Sequence, residues 1–373
     1  MNYRYIQDDG VTAERGLAGD EFLMTYHGAK APASEPTLRL YTYRSHCALV
    51  GRFQNIEAEI DLPACREYGI SVNRRPTGGG AILMGEHQLG LSFTGPASDF
   101  AETKPLEIYK RFSLPVIRAL EKLGIHARFR PKNDLEVNGR KIAGLGVYFD
   151  PFGAMLFHTS LLVNLDVPLM LRVLKIPYEK ISDKPGTSSV EQRITRVSNE
   201  LKTKITTAEV REIVKQTFEE VFEITLNDRP WSDDELHRME MLAQEKYLSP
   251  NWIFQRTPQP EMSGMSIKKT QAGLIRTYLG LKGEVIKSVL ITGDFFQPSE
   301  TLTRIEAGLK WSALDKNSIS KIIADSFAGD RSSNGLSAED VVESVWKAAQ
   351  NARAKNRFTN AGSCYYPNDK NFS

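Results

Sequence analysis

The chain has 373 residues, 41% apolar and 25% charged, which fits two packed domains and excludes a fibrous or disordered chain. A net charge of only +2 gives no basis for nonspecific nucleic-acid binding. No run approaches the roughly 18 apolar residues of a membrane helix, and Met1 to Asp9 has no signal-like apolar stretch, so a cytoplasmic protein is expected.

Ala13 to Tyr26 reads as a helix with Leu17, Phe22 and Leu23 on its apolar side, weakened by Gly16 and Gly19. Leu38 to Tyr43 alternates as a strand, and Ala48 to Gly51 forms a second. Ile60 to Tyr68 is predicted helical and Ile70 to Arg75 extended. The run Arg74-Arg75-Pro76-Thr77-Gly78-Gly79-Gly80-Ala81 follows, with another strand at Gln88 to Phe93. Ala81-Ile82-Leu83 stands where a Walker A loop needs Lys and Ser or Thr, and the glycine spacing is not that of a dinucleotide fingerprint. Two readings stay open: a tight turn with basic neighbours, or a backbone nest for an anion.

Lys104 to Leu123 repeats Ile108, Phe112, Val116, Ala119, Leu120 and Leu123 at helical spacing. Pro115 is expected to kink or break it and Gly124 to stop it. Ala127 to Arg130 reads as a strand. Asn138-Gly139 turns a hairpin between Asp134 and Gly144, placing Lys141 near the start of the returning strand. Phe157 to Asn164 is a further strand, Thr206 to Phe222 a helix, and Asp233 to Lys246 a polar helical stretch. The hairpins argue for a mixed sheet over an all-parallel one.

Pro258 and Pro260 mark a junction. Beyond it, a strand over 272–279, a hairpin over 282–295 and helices at Thr301 to Leu309 and Ser337 to Arg353 suggest a smaller α/β domain. The expected organisation is α/β (α+β): a mixed-sheet catalytic domain over 1–258, an accessory domain over 262–353, and a polar tail over 354–373.

Lys141 reads either as a solvated surface charge or as an amine aimed by its hairpin. Asn133 and Asp134 read either as an Asx turn or as polar groups for a nucleotide and a divalent cation. Magnesium often takes one or two carboxylates and completes its shell with phosphate and water. His158, in a strand beside hydroxyl residues, has no triad spacing, and Ser188 and Ser189 carry no mark of an activated nucleophile. Cys47, Cys65 and Cys364 match no zinc spacing and no disulfide framework.

The order of these pieces resembles the lipoate–protein ligase family over roughly residues 10–350. Arg74 to Ala81 looks like its arginine and triple-glycine motif. Lys132-Asn133-Asp134-Leu135 followed by Lys141-Ile142-Ala143-Gly144 looks like its nucleotide and lysine segment. His158 to Asn164, Ser189 to Ile194, Trp252-Ile253-Phe254 and Gly293-Asp294-Phe295-Phe296 resemble later signatures, the last of the accessory domain.

The resemblance implies a two-step reaction with ATP and Mg2+. Lipoate, a small carboxylic acid, becomes lipoyl-AMP, and the acyl group then passes to a lysine of a lipoyl-domain acceptor. It implies that Lys141 is catalytic, that Arg75, Gly78, Gly79 and Gly80 hold the acyl-adenylate, and that Asn133 contacts the nucleotide. It also implies Asp134 as the magnesium ligand and His158 on the wall of the site. Leu49, Val50 and Leu91 are candidates for an apolar tunnel. No membrane and no nucleic acid are expected as partners. Met84 departs from the family's usual histidine, and Leu145 to Tyr148 and Gln255 to Pro258 also differ, which fits an unusual acceptor. An octanoyltransferase, or a noncatalytic lipoyl-domain binder, is the alternative.

Overall fold

Alternation on one large sheet decides where the core lies and where the site lies. The computed structural model describes residues 2–30, 34–100, 103–131, 133–150, 152–176, 193–295, 299–328 and 336–360. Lys132, Ser188, Ser189, the matched segment 189–192, Phe296 and Cys364 lie outside them.

The strands are β1 (Asn2–Val11), β2 (Thr37–Tyr43), β3 (Cys47–Val50), β4 (Ser71–Arg74), β5 (Ile82–Met84), β6 (Gln88–Pro96) and β7 (Arg128–Arg130). They continue as β8 (Asp134–Val137), β9 (Arg140–Phe149), β10 (Ala154–Leu162), β11 (Thr225–Asp228), β12 (Gly264–Lys269), β13 (Leu274–Lys282) and β14 (Val285–Gly293). Eight form a sheet in the order β11-β1-β2-β6-β10-β9-β8-β7. β1 pairs parallel to β2 and β11, and the remaining pairs are antiparallel. A small sheet β4-β3-β5 and an antiparallel sheet β12-β13-β14 complete the mixed α/β architecture.

Leu38, Leu40, Leu91, Phe93, Phe157, Ala143 and Leu135 come from one face of the large sheet. They pack with Ile108, Phe112, Val116 and Leu120 of the helix Pro105–Lys122 and with Val210, Val214 and Phe218 of the helix Thr207–Phe222. This packing carries the first helix without interruption through Pro115, where a kink or a break was expected. The other face carries Arg39, Tyr41, Gly90, Ser92, His158, Ser160, Gly144 and Gly146, because cross-strand partners share a face. Helix Ala13–Lys30 lies on this second face, with Asp20 bonded at 2.8 Å to the buried Arg39, which also holds Asp8.

The accessory sheet packs with the helices Ser299–Leu309, Lys316–Phe327 and Ala338–Asn360. That last helix runs past residue 353, into the stretch read as tail. Phe53 joins this second core: its ring stacks on Phe295 at 5.4 Å, and its carbonyl accepts from the Gly293 N–H at 2.9 Å. Arg276 pairs with Glu59, both buried.

Candidate active site

The hairpin β8–β9 turns on Asn138 and Gly139, both at positive φ (49° and 76°), the geometry that an Asn-Gly pair tolerates. Its register then slips. Asp134 pairs with Gly144 and Leu135 with Ala143, but Glu136 pairs with Lys141, so Ile142 is an extra residue. This bulge puts Lys141 on the same face as Gly144, which regular alternation would forbid. A Cβ on Gly144 would lie 2.9 Å from the Lys141 amine, so the glycine leaves room for the lysine.

Lys141 Nζ lies 2.7 Å from Asp134 Oδ1, and Arg130 pairs with Asp134 Oδ2. Burial alone would raise the Asp134 carboxyl, but Lys141 and then Arg130 outweigh it and hold the group below the usual carboxylate range. Asp134 therefore already spends both oxygens on cations. No cluster of three potential ligands occurs among the described residues. A magnesium ion at Asp134 would share that carboxylate with Lys141 and Arg130.

Arg74 and Arg75 both spend guanidinium donors on backbone carbonyls. Arg74 is buried and donates to the carbonyls of Gly51, Arg52, Gln54, Trp252 and Ile253. Burial, helped by Arg256, Arg52 and Arg75, lowers its pKa to about 9. Arg75 donates to the carbonyls of Leu49, Gly78 and Gly80, at 2.7 Å for Gly80, and burial lowers it to about 10. Both stay cationic at neutral pH. A trans peptide points its N–H opposite its carbonyl. Binding the Gly78 and Gly80 carbonyls therefore turns the N–H groups of Gly79 and Ala81 away from the guanidinium, as a nest requires. Gly79 sits at φ 95°.

Gly51 is a site residue that sequence reasoning missed. A Cβ there would lie 2.1 Å from the Gly79 carbonyl, so only glycine lets this segment support the loop. Gly146 is another. It faces His158 across the β9–β10 pair, and its Cβ would lie 2.2 Å from His158 Nε2. Nothing local in the sequence signals either contact.

Arg75, Gly78, Gly79, Gly80, Asn133, Lys141 and His158 line one cavity of about 130 Å³ between the polar sheet face and the small sheet, and Asp134 backs Lys141. Asn133 is fixed to β9 by reciprocal bonds with Leu145, whose N–H donates at 2.8 Å. Leu49 lines the cavity, but Val50 and Leu91 do not: alternation turns them into the two neighbouring cores. Met84 and Thr77 do line it.

His158 Nε2 lies 3.0 Å from Thr77 Oγ1. Burial and then Arg75 lower its pKa to about 3, while burial and Arg4 lower His27 to about 4. An unfolded histidine titrates near 6.5. Between those values the unfolded chain binds more protons, so stability is full above about pH 6.5 and falls as pH drops, by up to about 1.4 kcal/mol per pH unit for each ring. Urea midpoints are expected to decline from pH 6.5 to 5 and to stay level from 8 to 7. A flat profile below 6.5 would contradict burial of the two neutral rings.

A family model described as the lipoyl protein ligase A/B catalytic domain matches residues 12–219. One described as the bacterial lipoate protein ligase C-terminus matches 259–344. The lipoate-protein ligase LplJ of Bacillus subtilis is 31% identical over 255 residues, covering 66% of this chain and 73% of that protein. The octanoyltransferase LipM of Anoxybacillus flavithermus is 29% identical over 282 residues, covering 68% and 98%. In structure, the bipartite lipoate protein ligase of Thermoplasma acidophilum superposes with a TM-score of 0.60 at 26% identity, covering 69% of this chain and 98% of that one.

Proposed function

The chain belongs to the lipoyl protein ligase A/B family, with the bacterial lipoate protein ligase C-terminal domain following, and from that premise we propose that it activates lipoate with ATP and transfers the acyl group to a lipoyl-domain lysine. The observation that carries this reading is Lys141: its ammonium is held 2.7 Å from Asp134 in the cavity that also holds the glycine loop.

A carboxylate is a poor acyl donor because its oxygen leaves badly. In the first step, a carboxylate oxygen of lipoate attacks the α-phosphorus of ATP and pyrophosphate leaves. In the second, the acceptor amine attacks the acyl carbon of the mixed anhydride and AMP departs. Each transition state gathers negative charge on oxygens. Lys141, the N–H groups turned out by Arg75, and the positive field of buried Arg74 and Arg75 stabilise that charge. Asp134 orients Lys141, and Asn133 contacts the nucleotide. Magnesium, when it accompanies ATP, neutralises phosphate charge. His158, neutral, holds Thr77 at the start of the glycine loop.

The relative LipM favours a second reading, an octanoyltransferase, whose covalent form requires a thiolate in the cavity. Among the described residues the cysteines are Cys47 and Cys65; both are buried, burial raises both thiols, and neither lines the cavity. That supports the ligase reading. The test is the intact mass of a lipoyl-domain acceptor incubated with this protein, lipoate, magnesium and ATP. An ATP-dependent lipoyl mass shift is expected. Acyl transfer from an octanoyl carrier protein without ATP would favour the transferase, and binding without any shift, across several acids and acceptors, would make the protein a noncatalytic binder.

A further inference from the structure

We propose that Met84 is the residue that sets the length of acyl chain the cavity accepts; this rests on the acyl-adenylate reading of the same cavity. The cavity has two chemically distinct ends. Asn133, Lys141 and His158 make one polar, while Leu17, Tyr41, Tyr43, Leu49, Ile82 and Met84 make the other largely apolar, with Asp20 also on the wall and Arg75 bonded to the Leu49 carbonyl. The polar end lies over β9 and β10, and Tyr41 stands on β2. In the sheet order those strands are β9-β10-β6-β2, and the Tyr41 ring reaches back over β6, so the open floor crosses at most two strand spacings, roughly 10 Å. Gly90 leaves room on the sheet for the Tyr41 ring. A Cβ there would lie 2.4 Å from the Tyr41 ring, which therefore lies across that glycine.

The roof over the apolar end is the small sheet. On β5, Ile82 and Met84 are two apart and share a face, opposite Leu49 and Cys47 on β3. Ala48, Val50 and Leu83 turn to the other side and pack in a separate core. Met84 is 2% exposed and packs in the cluster that also holds Tyr41 and Tyr43. The two tyrosine rings fix each other edge to face at 5.6 Å. Methionine is unbranched and adaptable, and its side chain reaches farther than the alanine or shorter aliphatics that would open the slot. The rigid rings define where the slot points, and Met84 defines where it stops. The ligand class is a medium-length acid with an anionic head and an apolar tail.

The test measures binding of hexanoate, octanoate, decanoate, dodecanoate and lipoate by calorimetry without ATP, and pyrophosphate release with it, in the wild type, Met84→Ala and Met84→Phe. Met84→Ala is expected to move the optimum to longer acids, with decanoate gaining about tenfold relative to octanoate as its two extra methylenes find room. Met84→Phe should move it to hexanoate and weaken lipoate. It also keeps the test open if the alanine variant does not fold. If the folded variants keep the wild-type optimum, Met84 does not set the length. If the wild type binds none of these acids, the acyl-adenylate reading falls and this proposal with it.

Discussion

Lys141→Ala is expected to lower ATP-dependent pyrophosphate release by about a hundred- to a thousandfold, the usual cost of removing one preorganised donor to developing oxyanion charge. The loss should fall mainly on kcat, because the ammonium is asked to act on charge that grows only as the bond to pyrophosphate breaks. The fold should survive. Arg130 still pairs with Asp134 in the variant, so the buried carboxylate is not stranded. Lys141→Arg should rescue poorly, since a planar fork does not reproduce a compact ammonium against Gly144. Rapid-quench assays beside a thermal melt separate these effects. Normal pyrophosphate release by a folded K141A protein would remove Lys141 from the chemistry.

Gly51→Ala is expected to abolish tight binding of the acid and nucleotide, although Gly51 is not part of the cavity wall. The new methyl would lie 2.1 Å from a backbone carbonyl, so no side chain can rotate away to relieve it. The segment or the Gly78–Gly80 loop must move. Overpacking of this kind costs about 1–3 kcal/mol of stability. The larger effect should be functional, at least tenfold in affinity, because the peptide planes set by Arg75 would turn. Calorimetry on the folded variant decides this. Unchanged affinity would show that the loop tolerates displacement and is not the cradle.

Much of the architecture was legible because local chemistry and fold agree. Asn138-Gly139 demands positive φ and so marks its hairpin. The spacing of Ile108, Phe112, Val116 and Leu120 marks a helix whatever Pro115 prefers. β1 was hidden for a physical reason: Arg4 and Asp8 interrupt its pattern, yet both are buried, Arg4 bonded to Glu235 and Asp8 to Arg39. β5 is only three residues long and follows directly on a glycine loop.

The candidate site divides in the same way. The linear motifs place Lys141, Asn133 and the glycines near one another in the chain's logic, and the fold lines one cavity with them. What sequence could not carry is long-range steric need. Gly146 answers to His158, and Gly51 to Gly79, across strands and loops. The partners of Arg75 were equally hidden. A guanidinium beside glycines suggests an anion fork, whereas here it is occupied by carbonyls and acts through the amides it turns.

Phe53 has a consequence for how the chain can be divided. It stands two positions from Gly51, yet its ring belongs to the accessory core, against Phe295. Arg74 fastens the same segment to Trp252 and Ile253, at the approach to the accessory sheet. A cut near residue 258 would thus not release two self-sufficient bodies. The N-terminal piece would carry a bare aromatic ring and Glu59 stripped of Arg276. Any large excursion of the accessory unit would break the same contacts and pull first on the strap beneath the glycine loop.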